Sequence, residues 1–208
     1  IALIASLTLT RWLCRRAGRS VDQLVDLAFW VVLSGFVGAR LYHVINEWPA
    51  YSARPMEIVA VWHGGLAIHG ALLFGVLALW WFVRRHGLPV ATTLDLVAPG
   101  VALGQAVGRF GNYINQELFG RPTNMPWGLP VDVAYRPTGF ESFTAFHPTF
   151  LYESIGDLVL ALGLTVWLVR GKPKPGTVIL TYLALSSLVR AAPELLRIDR
   201  VPLVSAIR

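Results

Sequence analysis

Charge is scarce in this sequence: 14% of its 208 residues are Asp, Glu, Lys or Arg, against 55% in the hydrophobic set, and the mean hydropathy is positive. That leaves too little polar surface to coat a soluble globule of this size, and so points to a membrane protein. Cysteine is nearly absent. Cys14 stands alone, which excludes an internal disulfide framework and suits a small, inert apolar residue. There is no cluster of metal-ligand residues, no phosphate-cradling glycine loop and no nucleotide fingerprint, so neither a metal nor another cofactor is expected. The chain opens on Ile, not Met, and its first apolar run, residues 1–13, is shorter than the roughly 20 residues of a spanning helix. It is expected to begin inside a helix. A cleaved signal peptide would carry basic residues before its apolar core, whereas Arg11, Arg15, Arg16 and Arg19 come at its end and after it.

The net charge of +6 and a sequence pI near 10 would suit nucleic acid only with a basic face on a soluble domain. Here the basic residues fall between long apolar runs, so nucleic acid is not an expected partner. The runs predict an all-α, polytopic transmembrane helix bundle forming one integral membrane domain over 1–208. After a partial helix to about residue 14, full spans are expected near 24–45, 57–83, 93–113, 149–169 and 177–197. The stretch 115–148 carries Pro122, Pro126, Pro130, Pro137 and Pro148 with Gly120, Gly128 and Gly139, a composition that breaks regular elements. It is expected to be an irregular head at the membrane surface.

Positive charge accumulates in short cytoplasmic loops. Alternate loops hold Arg11, Arg15, Arg16, Arg19, Arg84, Arg85, Arg170, Lys172 and Lys174, nine of the eighteen basic residues. The opposite side holds six: Arg54, Arg121, Arg136, Arg197, Arg200 and Arg208. The head at 115–148 is therefore expected on the extracytoplasmic side.

Three arginines remain, Arg40, Arg109 and Arg190, inside or at the outer ends of the expected spans. An unpaired charge there costs several kcal/mol, so each is expected to have an anionic partner. Glu153, Asp157 and Glu194 are internal candidates, and a lipid phosphate is an external one. Gly100, Gly104 and Gly108 repeat every four residues, which lets another backbone approach closely. Beside them Gln105, Arg109, Asn112 and Gln116 share a helix face, provided the helix persists that far. The pair of stripes suits the wall of a site; the alternative is an Arg109 that merely snorkels to the interface.

His63 and His69 stand six positions apart, about 240° round a helix, and so make a poor joint metal site. Gly70 and its neighbours leave space for a ligand beside His69, which otherwise reads as a buried, hydrogen-bonded histidine. Arg190 and Glu194 are at i, i+4, with Pro193 expected to kink the helix between them; a self-neutralising structural pair is the alternative. His147 opens a His-Pro-Thr-Phe-Leu-Tyr-Glu-Ser string, in which Pro148 suits the first turn of a helix and Tyr152 and Glu153 follow within a turn or so.

The run from Gly108 to Thr123, Gly-Arg-Phe-Gly-Asn-Tyr-Ile-Asn-Gln-Glu-Leu-Phe-Gly-Arg-Pro-Thr, resembles the signature of the prolipoprotein diacylglyceryl transferase family. Gly38-Ala39-Arg40-Leu41, Trp62 to Gly70, Pro126-Trp127-Gly128, His147 to Glu153, and Arg190-x-x-x-Glu194 followed by Leu196-Arg197-Ile198-Asp199 extend the resemblance, in order, over most of the chain. Leu66, Ala67 and Ile68 depart from the Met, Ser and Phe usual before the family's histidine. Ala191, Ala192 and Pro193 replace the bulky apolar residues usual between its arginine and glutamate.

The resemblance implies a bacterial inner-membrane enzyme that moves the diacylglyceryl group of phosphatidylglycerol to the lipobox cysteine of a prolipoprotein. A thioether forms, glycerol phosphate leaves, and the site faces outward. It implies His69 as a base with Arg109 and Arg190 as phosphate binders, the role paired guanidinium hydrogen bonds suit. Arg40, Asn112, Asn115, Glu117, Gly120, Tyr152, Glu153 and Glu194 would surround the substrates. The expected partners are the lipid, the peptide and the bilayer. A non-catalytic anionic-lipid binder or transporter is the competing reading, weakened by the absence of matching broken helices in two halves.

Overall fold

A computed structural model describes residues 1–198. Asp199, Arg200 and Arg208, which figured in the motif and the loop charges, lie outside the described residues. The protein is all-α apart from one small ladder, and four of its helical runs are long and apolar enough to cross a membrane: Val21–Asn46, Ile68–Arg85, Val90–Ile114 and Thr149–Arg170. A chain with four such runs is a multi-pass membrane protein. The expected span at 177–197 is a helix of 18 residues, Thr177–Glu194, ending in Arg190, Pro193 and Glu194, and it is not among the four.

The chain forms two compact units, one of residues 14–93 and the other of residues 1–13 with the chain from Leu94 onward. In the first, α2 (Val21–Asn46) starts at Ser20, whose side chain accepts the amide of Gln23, and short α3 (Trp48–Ser52) follows. Helix α4 (Ile68–Arg85) packs on α2 through glycines: a Cβ on Gly38 would strike the Phe74 side chain at 2.5 Å, and one on Gly70 would strike the Tyr42 Cβ at 2.5 Å. The amide of Ala67 donates to the carbonyl of Ala39 at 3.0 Å and anchors the entry to α4.

The helix expected from 57 is not formed until Ile68. Residues 55–58 and 61–63 make single 3₁₀ turns, and Gly64 and Gly65 adopt φ of +87° and +78°. A glycine pair in that region interrupts a helix, and the carbonyls that would continue it are taken by Arg40, as described below. His63 is therefore off the helix that carries His69, and the angle between them round a common helix does not apply.

In the second unit, α1 (Ala2–Arg16) contributes its first twelve helical residues, followed by α5 (Val90–Gly108), short α6 (Phe110–Ile114), α7 (Thr149–Arg170) and α8 (Thr177–Glu194). The glycine stripe faces α1: a Cβ on Gly100 would lie 2.7 Å from the Ser6 carbonyl, and one on Gly104 would lie 3.2 Å from the Ser6 Cβ. Ala98 and Ala102 pack with Leu160, Ala161, Leu164, Val178 and Tyr182 into the core of α5, α7 and α8. Buried Asp95 crosses from α5 to the start of α8, accepting the amides of Gly176 at 2.6 Å and Ile179 at 2.8 Å. It supplies the cap that Gly176 cannot.

The head over 115–148 holds a two-stranded antiparallel ladder, β1 (Leu129–Pro130) with β2 (Ala145–Phe146), and a small core of Phe119, Val131 and Phe146. Gln116 and Leu118 take positive φ, which turns the chain out of the helix. Gln116 then leaves the polar stripe: its amide donates to Asp132 Oδ2 at 3.0 Å while its oxygen accepts the Asp132 amide at 2.9 Å. Within the head, the Gly139 amide bonds to Glu141 and holds its carboxyl below the usual range.

Candidate functional site

The second unit gathers charge around one carboxylate. Glu153, in the second turn of α7, is 1% exposed. Its Oε2 lies 2.6 Å from Arg109 Nη2 and 3.6 Å from Arg190 Nη1, and its Oε1 lies 3.5 Å from Arg197 Nη2. Helical spacing explains how they meet: Arg109 lies at the junction of α5 and α6, Arg190 is in the last turns of α8, and Glu153 of α7 reaches both after the chain enters that helix at Pro148. At Arg109 the helix tightens, with the Asn112 amide bonding to its carbonyl at 3.1 Å.

Arg190 and Glu194 do not pair, although their spacing allowed it. Glu194 is the last residue of α8, past Pro193, and it bonds instead to Arg197 Nη1 at 3.0 Å. Arg190 is left with its long approach to Glu153 and a side chain 55% exposed. Arg197 was read from the sequence as an outer-loop charge; it is buried, and its Nε has no hydrogen-bond partner among the described residues. Its place three residues after Glu194 was the available signal.

Beside this cluster is a cavity of about 140 Å³ lined by Gln105 of α5, Arg109 just after it, Glu153 and Asp157 of α7, and Ser186, Ser187 and Arg190 of α8. If the four charged groups are ionised, two guanidiniums balance two carboxylates. The arrangement offers both charged donors and charged acceptors to a polar ligand.

The motif residues after α5 form a second group. Glu117 Oε1 accepts from Asn112 Nδ2 at 3.2 Å and from Asn115 Nδ2 at 3.0 Å, so its exposed carboxylate is held by two amides. Gly120 is a close-approach glycine: a Cβ would lie 2.8 Å from the His147 Cβ and 3.0 Å from the Leu196 carbonyl. Its amide donates to the His147 carbonyl at 2.8 Å, and it bridges to Arg197. Tyr152 accepts the Trp127 indole N–H at 2.9 Å, and its hydroxyl lies 3.1 Å from His147 Nδ1. Residues read as one string, His147 to Glu153, thus divide between the head and the arginine cluster.

Arg40 and His69 belong to the unit of residues 14–93. Arg40, 7% exposed, was expected to need an anionic partner, and among the described residues no carboxylate pairs with it. Its guanidinium donates instead to the carbonyls of Glu57, Ile58 (2.9 Å), Ala60 (3.4 Å), Gly64 (2.6 Å) and Gly65 (2.9 Å). Five carbonyl dipoles solvate the charge, and Tyr51 lies under it at 5.2 Å. Glu57 also pairs with His63 at 2.8 Å, a hydrogen bond that holds its carboxyl below the usual range. His69 is exposed in the first turn of α4, with its ring 5.8 Å from that of Tyr42 and no hydrogen bond among the described residues.

Comparison with known proteins gives concordant matches. The family model described as prolipoprotein diacylglyceryl transferase matches residues 1–208. A phosphatidylglycerol--prolipoprotein diacylglyceryl transferase of Trichormus variabilis is 45% identical over 207 residues, covering 97% of this chain and 73% of that protein. One of the same name from Synechococcus elongatus is 44% identical over 210 residues, covering 98% and 72%. A third, from Streptomyces coelicolor, carries the number 2 after that name and is 42% identical over 193 residues, covering 91% and 60%.

Proposed function

Because the chain belongs to the prolipoprotein diacylglyceryl transferase family, we propose that it transfers the diacylglyceryl group of phosphatidylglycerol to the lipobox cysteine of a prolipoprotein. The observation that carries this reading is the cluster of Arg109, Arg190 and Arg197 on buried Glu153, beside a polar cavity between helices. The cysteine sulfur bonds to the terminal glyceryl carbon, and the bond from that carbon to the phosphate oxygen breaks. The electron pair stays on the phosphate, and the thiol proton passes to a base. Glycerol phosphate leaves with more negative charge than the lipid phosphate carried.

Guanidinium groups suit that change, because hydrogen bonds to an anion in a poorly hydrated site strengthen as its charge grows. Arg190 is the more available of the two phosphate binders, being half-exposed and only loosely held. Arg109, fixed by Glu153 at 2.6 Å, offers its remaining donors in a set direction. His69 is the proposed base that raises the thiolate fraction, its ring exposed at the start of α4. Asn112, Asn115 and Glu117 form a hydrogen-bonded platform for the lipid or the peptide, with Tyr152 and Gly120 shaping its edge and Glu194 steadying Arg197. Arg40 acts by holding the 57–65 loop ahead of His69.

The loop charges support a site on the outer face of the membrane, and the family reading makes that membrane a bacterial cytoplasmic one. The test is to reconstitute the chain with phosphatidylglycerol and a lipobox peptide and to read the peptide by mass spectrometry. A diacylglyceryl thioether on the cysteine is expected. Lipid binding without any modified peptide would overturn transfer in favour of an anionic-lipid binder.

A further inference from the structure

We infer that Asp157 is a specificity-determining residue whose carboxylate accepts hydrogen bonds from the hydroxyls of the donor lipid's headgroup glycerol; this rests on the transfer reading above. Asp157 is 4% exposed and stands one helical turn beyond Glu153 on α7, lining the same cavity as Arg109 and Arg190. Among the described residues Asp157 forms no hydrogen bond and no ion pair within 4 Å, although Arg109 and Arg190 are near enough to act on its charge.

Its neighbours already have partners. The Ser186 and Ser187 hydroxyls lie 3.3 and 2.7 Å from the Leu183 carbonyl, and the Tyr182 hydroxyl donates to Gln105 Oε1 at 2.9 Å. Arg109 is turned to Glu153. The oxygens of a carboxylate that forms no hydrogen bond within the protein can be completed by a ligand that brings O–H groups.

The size and direction of the cavity agree with that ligand. A cavity of about 140 Å³ has room for a small polar headgroup. Three carbons and two hydroxyls lie beyond the phosphate of phosphatidylglycerol. Displacement at carbon also needs the leaving group opposite the nucleophile. With phosphate at Arg109 and Arg190, a headgroup pointing to Asp157 leaves the reacting carbon towards the head, from which the thiol approaches.

The test is displacement of a fluorescent phosphatidylglycerol from the detergent-solubilised full chain by unlabelled phosphatidylglycerol and by phosphatidylpropanol, which lacks the two hydroxyls. The wild-type chain is expected to prefer phosphatidylglycerol by about tenfold or more, the usual effect of a hydrogen bond to a charged group. Asp157→Ala should remove that preference, and Asp157→Asn, which keeps one acceptor oxygen and the side-chain shape, should retain part of it. Equal binding of both lipids by the wild type, or equal weakening of both in Asp157→Ala and Asp157→Asn, would overturn the assignment. Selective binding that depends on Asp157, together with no thioether product in the peptide assay, would sink the transfer reading and leave this one standing.

Discussion

Glu153 Oε2 approaches Arg109 Nη2 to 2.6 Å while the carboxylate is 1% exposed and two further arginines face it. Removing such a charge leaves three guanidiniums without their common counter-ion. Breaking a buried pair by deleting one partner costs about 3 to 5 kcal/mol. Glu153→Gln is therefore expected to lower the melting temperature in detergent and to abolish measurable transfer. Wild-type melting and turnover in this variant would show that the cluster is dispensable.

Arg109 and Arg190 differ in how they are held, and lysine substitution should separate them. Lysine keeps the charge but loses the planar fork that binds a phosphate through paired hydrogen bonds. Arg190→Lys, at a half-exposed side chain, is expected to reduce kcat/KM by about tenfold to a hundredfold with unchanged melting. Arg109→Lys should lose activity and also melt earlier, because its partner is buried Glu153. Identical effects in both would remove the distinction between a fixed and an available arginine.

The fold class was legible because long apolar runs admit few alternatives in lipid. That Arg109 and Arg190 would face an anionic group, with Glu153 among the candidates, was legible too, since charge in an apolar span demands a partner. Which partner was not. Pairing by helical spacing put Glu194 with Arg190, but α8 ends at Glu194, and the chain beyond brings Arg197 to it instead. Helix periodicity likewise carried the second expected full span back to 57. The Gly64-Gly65 pair breaks it, and Arg40, 17 to 25 positions earlier than the carbonyls it binds, holds the break in place. Contacts across such separations leave no periodic trace.

Arg40 accordingly has a structural prediction of its own. Arg40→Met keeps the stem length and removes every donor, stranding carbonyls at Ile58, Gly64 and Gly65. Each unsatisfied buried group costs on the order of 1 to 3 kcal/mol, discounted where the loop can relax towards water. Hydrogen exchange should rise first over residues 57–67. Unchanged protection there would show that the loop holds its shape without the guanidinium.

Asp95 should separate stability from chemistry. It caps α8 from α5 through the amides of Gly176 and Ile179 and touches none of the arginine cluster. Asp95→Ala is expected to cost about 2 kcal/mol, as a charged cap is lost and two amides near a helix start are left unpaired. A lower melting temperature with near-normal kcat at low temperature is the expected result. A large fall in kcat without a shift in melting would assign Asp95 a role in the reaction.

The pair of Glu57 and His63 gives an acid-side prediction for the loop that Arg40 holds. The hydrogen bond from His63 keeps the Glu57 carboxyl below its usual range, so the ionised form is favoured in the folded loop. By linkage, that contribution is fully present above the ordinary carboxylate range and is lost as the pH falls through the lowered value. Both side chains are well exposed, so the effect is local and weakened by salt. Amide exchange of residues 57–65, compared at each pH with that of Glu57→Gln, should be slower in the wild type at neutral pH. The two should converge in acid. Curves that stay parallel through the acid range would show that the loop does not depend on this pair.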